Sequence, residues 1–299
     1  LGQNRPNTSV VAVSDTNSYE DPLFLQEEVL NFKLTLSYED LLKDRGDEPV
    51  YHKATLTYRD AAGAPVALDL KAMVRGNFRR NPKVCRFPPL LLNFSRKTTK
   101  GTVFEQVNKV KLVTHCLQED YVVREYLVYK LYNLLTDKSF RARLCRIEYE
   151  DVQGERKTEV KHAFLLEDDD EMARRNGGAI VPKALAIPMD GTDAAYMAQL
   201  AMFQYMIGNT DWSVPYRHNI KLLSIDTLTV PIPVPYDFDY SGIVDPPYAV
   251  PPPELGITSV RQRLYRGYNF PDQVYADVIN TFQKHRAAIY KVYQEFPLL

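Results

Sequence analysis

The segment Val29-Leu30-Asn31-Phe32-Lys33-Leu34-Thr35-Leu36 alternates apolar and polar residues over its second half. A period of two sets one face of an extended chain against a core and the other toward solvent, so a half-buried strand is expected here. The same alternation recurs at 53–58. A turn follows at Ala61-Ala62-Gly63-Ala64-Pro65, and 66–74 completes a hairpin. Residues 87–94, proline-rich at the start, and 110–114 read as two more strands. Before all of these, residues 1–27 are polar and turn-rich, an arm or linker.

Across 119–135 the period becomes helical, with Val122, Val123, Tyr126, Leu127, Leu131 and Leu134 at i, i+3 and i+4 spacings. Strands are expected again at 142–149 and 155–166, around Gly154. The acidic run Glu167-Asp168-Asp169-Asp170-Glu171 opens a short helix, because acids favour a helix N-terminus. A second strong helix covers about 192–207, and two strand-like runs follow at 219–224 and 230–236. A proline-rich loop and a final helix over about 271–296 complete the chain. This order is α+β rather than alternating βαβ. It predicts an arm at 1–27, a β-rich N-lobe with one helix at 28–166 and a mainly helical C-lobe at 167–299.

Composition narrows the function. The 299 residues carry 37 basic and 38 acidic side chains, a net charge of -1, so no nucleic-acid partner is expected. Hydrophobic residues at 45% and charged residues at 25% exclude a disordered chain. No run of about 18 apolar residues occurs, so no transmembrane segment is expected. Cys85, Cys116 and Cys145 are odd in number and widely spaced, without a CxxC, and three buried free thiols are expected. The chain opens on Leu1 rather than Met, which implies a missing N-terminal piece. If that piece is a signal peptide the protein is exported, periplasmic or extracellular; otherwise it is cytoplasmic.

The chemistry concentrates in Gly208-Asn209-Thr210-Asp211-Trp212-Ser213-Val214-Pro215-Tyr216-Arg217-His218-Asn219 and in Tyr236-Asp237-Phe238-Asp239-Tyr240-Ser241-Gly242. Acids and an amide fall at the ends of a helix and two strands. Hard oxygen ligands of this kind suit Mg²⁺ or Mn²⁺. Phosphoryl transfer from ATP needs one carboxylate to orient the attacking hydroxyl, and an Asn with an Asp to hold the metal. The competing structural reading has Asp211 and Asn219 capping turns, with Asp237 and Asp239 solvated in a loop. The single Trp beside Asp211 and the order helix, loop, hairpin, acid pair favour the site. Between Arg75 and Arg86 five basic residues fall within twelve, which suits either a phosphate cradle or a solvated loop.

Four stretches carry a family resemblance: VRGNFRR at 74–80, VKLVTHCLQEDYVVREYLVYKLYNLL at 110–135, GNTDWSVPYRHNIKLL at 208–223 and PYDFDYSG at 235–242. Over most of 28–299 the chain resembles the spore coat protein H (CotH) kinase-like proteins, distant relatives of protein kinases and of HipA. The resemblance implies a bilobal protein-kinase-like fold that binds ATP with a divalent metal and phosphorylates a protein or another hydroxyl acceptor. By position, Asp211 matches the catalytic acid, Asn219 and Asp237 the metal ligands, and Asp239 a second acid of the family's D-x-D. Arg75, Gly76 and Asn77 match the loop near the nucleotide phosphates.

Two positions depart from the pattern. Asp211 and Asn219 are further apart than the corresponding pair of protein kinases. The strand expected to carry the phosphate-binding lysine reads Pro89-Leu90-Leu91-Leu92. Lys111 is then the first candidate, with Lys83 behind it, and Glu125 or Glu119 its expected partner. If no lysine serves, the chain is a pseudokinase, a binding or structural protein of the cell envelope. A metal-dependent phosphoester hydrolase is a third reading.

Overall fold

The computed structural model describes residues 21–297. Most of the expected N-terminal arm lies outside the described residues. Its last residues form a one-turn helix α1 (Pro22–Leu25), capped by the Asp21 carboxylate, which accepts from the Leu23 N–H at 2.9 Å.

Seven strands follow: β1 (Leu30–Leu36), β2 (His52–Arg59), β3 (Pro65–Val74), β4 (Leu90–Phe94), β5 (Lys109–Val113), β6 (Ala142–Asp151) and β7 (Glu159–Leu166). They close into a barrel in the order β1-β2-β3-β4-β5-β7-β6. Neighbours are antiparallel except at the closure, where β1 and β6 run parallel from Leu30 opposite Cys145 to Leu36 opposite Asp151. The inward set includes Leu34, Leu56, Leu92, Leu112, Ile147 and Leu165, all buried in one core. A short helix α2 (Tyr38–Lys43) sits between β1 and β2. It starts at Ser37, whose hydroxyl accepts from the Asp40 N–H, a cap legible in the sequence but not expected above.

The long helix α3 (Glu119–Leu135) has the limits its periodicity predicts. After the barrel come α4 (Asp169–Arg175), α5 (Ala194–Ile207) and α6 (Asp272–Gln294), with a small sheet ordered β10 (Ile232–Pro235), β9 (Ile220–Ser224), β8 (Ala179–Ile180). No helix among the described residues is long and apolar enough to cross a membrane.

The expected bilobal kinase-like architecture is therefore corrected. The described residues form a closed seven-stranded barrel with a small sheet and six α-helices, not an open β-lobe with a mainly helical C-lobe. Alternation tells which face of β1 is buried, but not what pairs with its two edges. β1 takes β2 on one edge and β6 on the other, which leaves no open edge. Nor is α3 confined to the β-rich half. Its Tyr129, Leu131 and Tyr132 share one core with Phe164 of β7 and with Phe203, Val234 and Phe238 from beyond residue 167.

The cysteine expectation also changes. Cys85 and Cys116 form a disulfide, with Cα atoms 4.7 Å apart, and only Cys145 is a free buried thiol. An isolated bridge between Phe87 and Cys116 brings these distant segments side by side.

Candidate functional site

The β9–β10 hairpin sets the site. Ile220 pairs with Pro235, and the Tyr236 N–H donates to the Asn219 carbonyl at 3.0 Å. Asn219 and Asp237 therefore stand at the same end of one hairpin. Both are left-handed, with φ of 53° and 59°. Asn and Asp tolerate this region better than other side chains, and such backbone is held only where its surroundings enforce it. Here the Tyr129 hydroxyl on α3 accepts from the Asp237 N–H at 2.8 Å.

The Asp211 loop is tied to the same place. Helix α5 ends at Gly208, whose φ is 70°; a Cβ there would lie 2.8 Å from the Val260 carbonyl oxygen. The Gly242 N–H donates to the Gly208 carbonyl, and the Ile243 N–H to the Ile207 carbonyl. The loop after Asp237 is thus fastened to the helix end that leads into Asp211.

The wide Asp211–Asn219 spacing is absorbed by a turn. Ser213 and His218 form a bridge, which folds the chain back on itself. Asn219 Nδ2 then donates to both the Asp211 carbonyl, at 2.8 Å, and Asp211 Oδ2, at 3.0 Å. Its amide nitrogen is committed to Asp211, which leaves the amide oxygen for a ligand. His218 Nε2 lies 2.8 Å from Asp211 Oδ1. Trp212 is buried; its indole N–H donates to the Asn209 carbonyl, and the Arg266 guanidinium stacks over its ring.

The central group is one that the sequence reading did not single out. Arg79 is buried and meets three carboxylates: Glu125 at 3.0 Å, Asp237 at 2.6 Å and Asp239 at 3.3 Å. Burial works against its charge, but Asp239, Glu125 and Asp237 together hold its pKa well above the ordinary value. One guanidinium cannot neutralise three acids. Burial, with the neighbouring carboxylates adding to it, pushes Glu125 and Asp239 upward, and Glu125 Oε1 is buried without a hydrogen-bond partner. Asp239 also accepts from the Tyr248 hydroxyl at 3.0 Å. Arg79 lay within the basic run 75–86, but nothing in that run distinguishes it from its neighbours.

The expected Lys111–Glu125 pair does not form. Glu125 belongs to Arg79, and Glu119 bonds His162 and Lys161. Lys111 instead pairs with Asp169, at the start of α4, and Lys221 of β9 pairs with the same carboxylate. The register explains the direction of Lys111. It stands opposite Leu91 on β4, and residues paired across strands project on the same face. Lys111 thus emerges where the absent basic residue of β4 was sought. The acidic run 167–171 does more than open a helix: Glu167 is buried against Arg175, and the partly exposed Asp169 pairs with the two lysines.

The loop of Arg75, Gly76 and Asn77 leaves β3 with the Arg75 N–H donating to the Pro89 carbonyl at 2.9 Å. The next residues carry Phe78 onto Tyr240 and Tyr248, with ring centroids 5.8 and 5.7 Å away, and Arg79 into the acids. Lys83 is exposed on the turn beyond.

Among the described residues no group of three or more His, Cys, Asp and Glu side chains is arranged to hold a metal ion. The donors nonetheless suit a hard divalent cation. Asp237 is the accessible carboxylate, its side chain 36% exposed against 8% for Asp239, and the cluster around Arg79 carries excess negative charge. Neither a scan of protein-family models nor a search of curated proteins returned a match to this chain.

Proposed function

We propose that this chain is a CotH-like phosphotransferase that moves a phosphoryl group from ATP to a hydroxyl acceptor, a protein foremost. The observation that carries the reading is the hairpin end. It holds Asn219 beside Asp237 and bonds Asn219 to Asp211, so that a metal-type donor pair and the Asp211 carboxylate share one small region. Asp211 would accept a hydrogen bond from the attacking hydroxyl and orient it; His218 and Asn219 hold its two oxygens in place. Asp237, with the Asn219 amide oxygen, would hold Mg²⁺ or Mn²⁺, and Asp239 would steady Asp237 through Arg79. The metal, when bound, supplies charge neutralisation for the phosphates.

The Cys85–Cys116 disulfide supports an oxidising compartment, so export is part of the proposal. A second reading, a binding protein without turnover, draws on one observation: Arg79 already engages both Asp237 and Asp239. A thermal-shift titration with ATP and Mn²⁺, followed by a radiolabel transfer assay, separates the two. A ligand at 100 times its Kd stabilises a fold by about 2.7 kcal/mol. A shift with transfer supports the enzyme, a shift without transfer supports the binding protein, and no shift removes both.

A further inference from the structure

Four neighbouring strands place Lys53, Lys71, Asn93 and Lys109 in one row. Lys53 stands opposite Lys71, Lys71 opposite Asn93, and Asn93 opposite Lys109. Their chain neighbours Ala54, Leu70, Ala72, Leu92 and Val110 are buried in the barrel, so alternation turns the row outward. All three lysines are exposed, and among the described residues none of them forms an ion pair. Like charges directly opposite across a strand pair are destabilising, so Lys53 against Lys71 is held at a cost in stability. The loop that leaves β4 adds Arg96, Lys97 and Lys100, exposed and likewise without an ion pair among the described residues. Unneutralised positive charge is thus concentrated here in a chain whose net charge is only -1.

Lys53, Lys71 and Asn93 line a groove of about 850 Å³, together with Thr35, Thr55 and Asp69. Lys109 and Arg96 line a second groove of about 530 Å³. The acids of that second groove have other partners: Asp169 holds Lys111 and Lys221, and Glu171 holds Arg174. Strands roughly 4.8 Å apart put the two ends of the row about 14 Å from each other. Four residues of extended chain span about the same distance. Acids at alternate positions of a peptide share one face and so meet the lysines in order. We infer that this row docks an extended acidic peptide of a partner protein, with its carboxylates on Lys53, Lys71 and Lys109 and its backbone against Asn93. The barrel has no open edge, so the peptide lies across the strands rather than adding one. The other groups in the groove favour a peptide over a continuous polyanion. Asp69, which accepts from the Thr55 hydroxyl at 3.3 Å, and Asp40 repel a phosphate polymer but can accept from peptide N–H groups. The row carries no aromatic side chain on which bases would stack and no apolar side chain to enter a bilayer. This surface does not depend on the phosphotransfer reading.

Fluorescence anisotropy of the whole protein with a short labelled peptide alternating Glu and Thr tests the surface. The same peptide with Gln in place of Glu should bind about tenfold more weakly or worse, the loss of charge-assisted contacts. Lys71→Gln should weaken the Glu peptide about tenfold. Lys53→Glu should weaken it as well, and should raise the urea midpoint, because an opposite-charge pair replaces a like-charge pair across the strands. Lys284→Glu, at an exposed lysine of α6, should leave the affinity unchanged. Absence of binding by the Glu peptide overturns the surface, as does undiminished affinity in both Lys71→Gln and Lys53→Glu. A loss in Lys284→Glu equal to that in Lys71→Gln overturns it too, since the binding would then follow net charge rather than the row. A single-stranded oligonucleotide or vesicles of anionic lipid that bind more tightly than the Glu peptide, and lose affinity in Lys71→Gln, would overturn the choice of a peptide.

Discussion

Arg79 and Glu125 form a salt bridge of 3.0 Å with almost no solvent contact, their side chains 9% and 2% exposed. The pair joins the loop after β3 to the middle of α3, and through Arg79 reaches Asp237 and Asp239. Breaking a buried ion pair from one side strands the other charge and typically costs about 3–5 kcal/mol.

Arg79→Met should therefore destabilise the protein by roughly that amount, read from urea unfolding. The double change Arg79→Met with Glu125→Leu should recover part of the loss, since the stranded carboxylate is gone. Strictly additive single and double changes would show that the two residues are not coupled.

Asp237→Asn should abolish Mn²⁺-dependent nucleotide binding, whereas Asp239→Asn should weaken it. Asp239 is buried between Arg79 and Tyr248, so its variant should also lower the melting temperature more than Asp237→Asn does. Calorimetric titration and thermal melts on the same samples test both parts. Equal, undiminished binding in the two variants would remove the metal assignment.

Asp211→Ala should keep the thermal shift with ATP and Mn²⁺ but lose transfer by about 10²–10⁴-fold, the usual contribution of a positioned base. His218→Gln should have a smaller effect, because Asn219 still holds the other oxygen of Asp211. A folded Asp211→Ala protein with the wild-type transfer rate would reduce Asp211 to a turn residue.

His115 makes stability depend on pH. Burial pushes its imidazole down from 6.5 to about 4, and Lys161 adds to the shift. Between these values the unfolded chain binds more protons than the folded one, so stability rises with pH. The contribution is complete above about pH 6.5 and is lost as pH falls toward 4, with a size of up to roughly 3 kcal/mol. His115→Gln should flatten the change in urea midpoint between pH 4.5 and 7, about the window given by this shift. A slope identical to wild type would show that His115 does not carry it.

Reducing the Cys85–Cys116 disulfide opens a loop with a sequence separation of 31. The chain-entropy relation for a loop of that length gives a loss of about 3–4 kcal/mol. Comparing urea unfolding of the oxidised protein with the Cys85→Ala, Cys116→Ala double variant measures it. Because the disulfide lies beside Phe87 rather than among the carboxylates, Mn²⁺-ATP affinity should survive in the folded double variant.

The sequence by itself determined the elements whose signal is local. Periodicity set α3 at Glu119–Leu135, and alternation with a glycine turn set the β2–β3 hairpin. The end of α5 at Gly208 and the strands around Asn219 and Asp237 were legible for the same reason. Side-chain period and turn chemistry depend on neighbours within a few residues. Only the tertiary structure decided what meets across the chain. The parallel pairing of β1 with β6 closes the barrel between segments more than a hundred residues apart, and no pattern within either strand specifies its partner edge. The joining of Cys85 to Cys116 was equally invisible, because spacing carries no information about spatial approach. The choice of Arg79 over Lys111 as the partner of Glu125 followed the same logic. Charge type makes every nearby cation a candidate, whereas the loop after β3 and the β4–β5 register fix which one reaches the carboxylate.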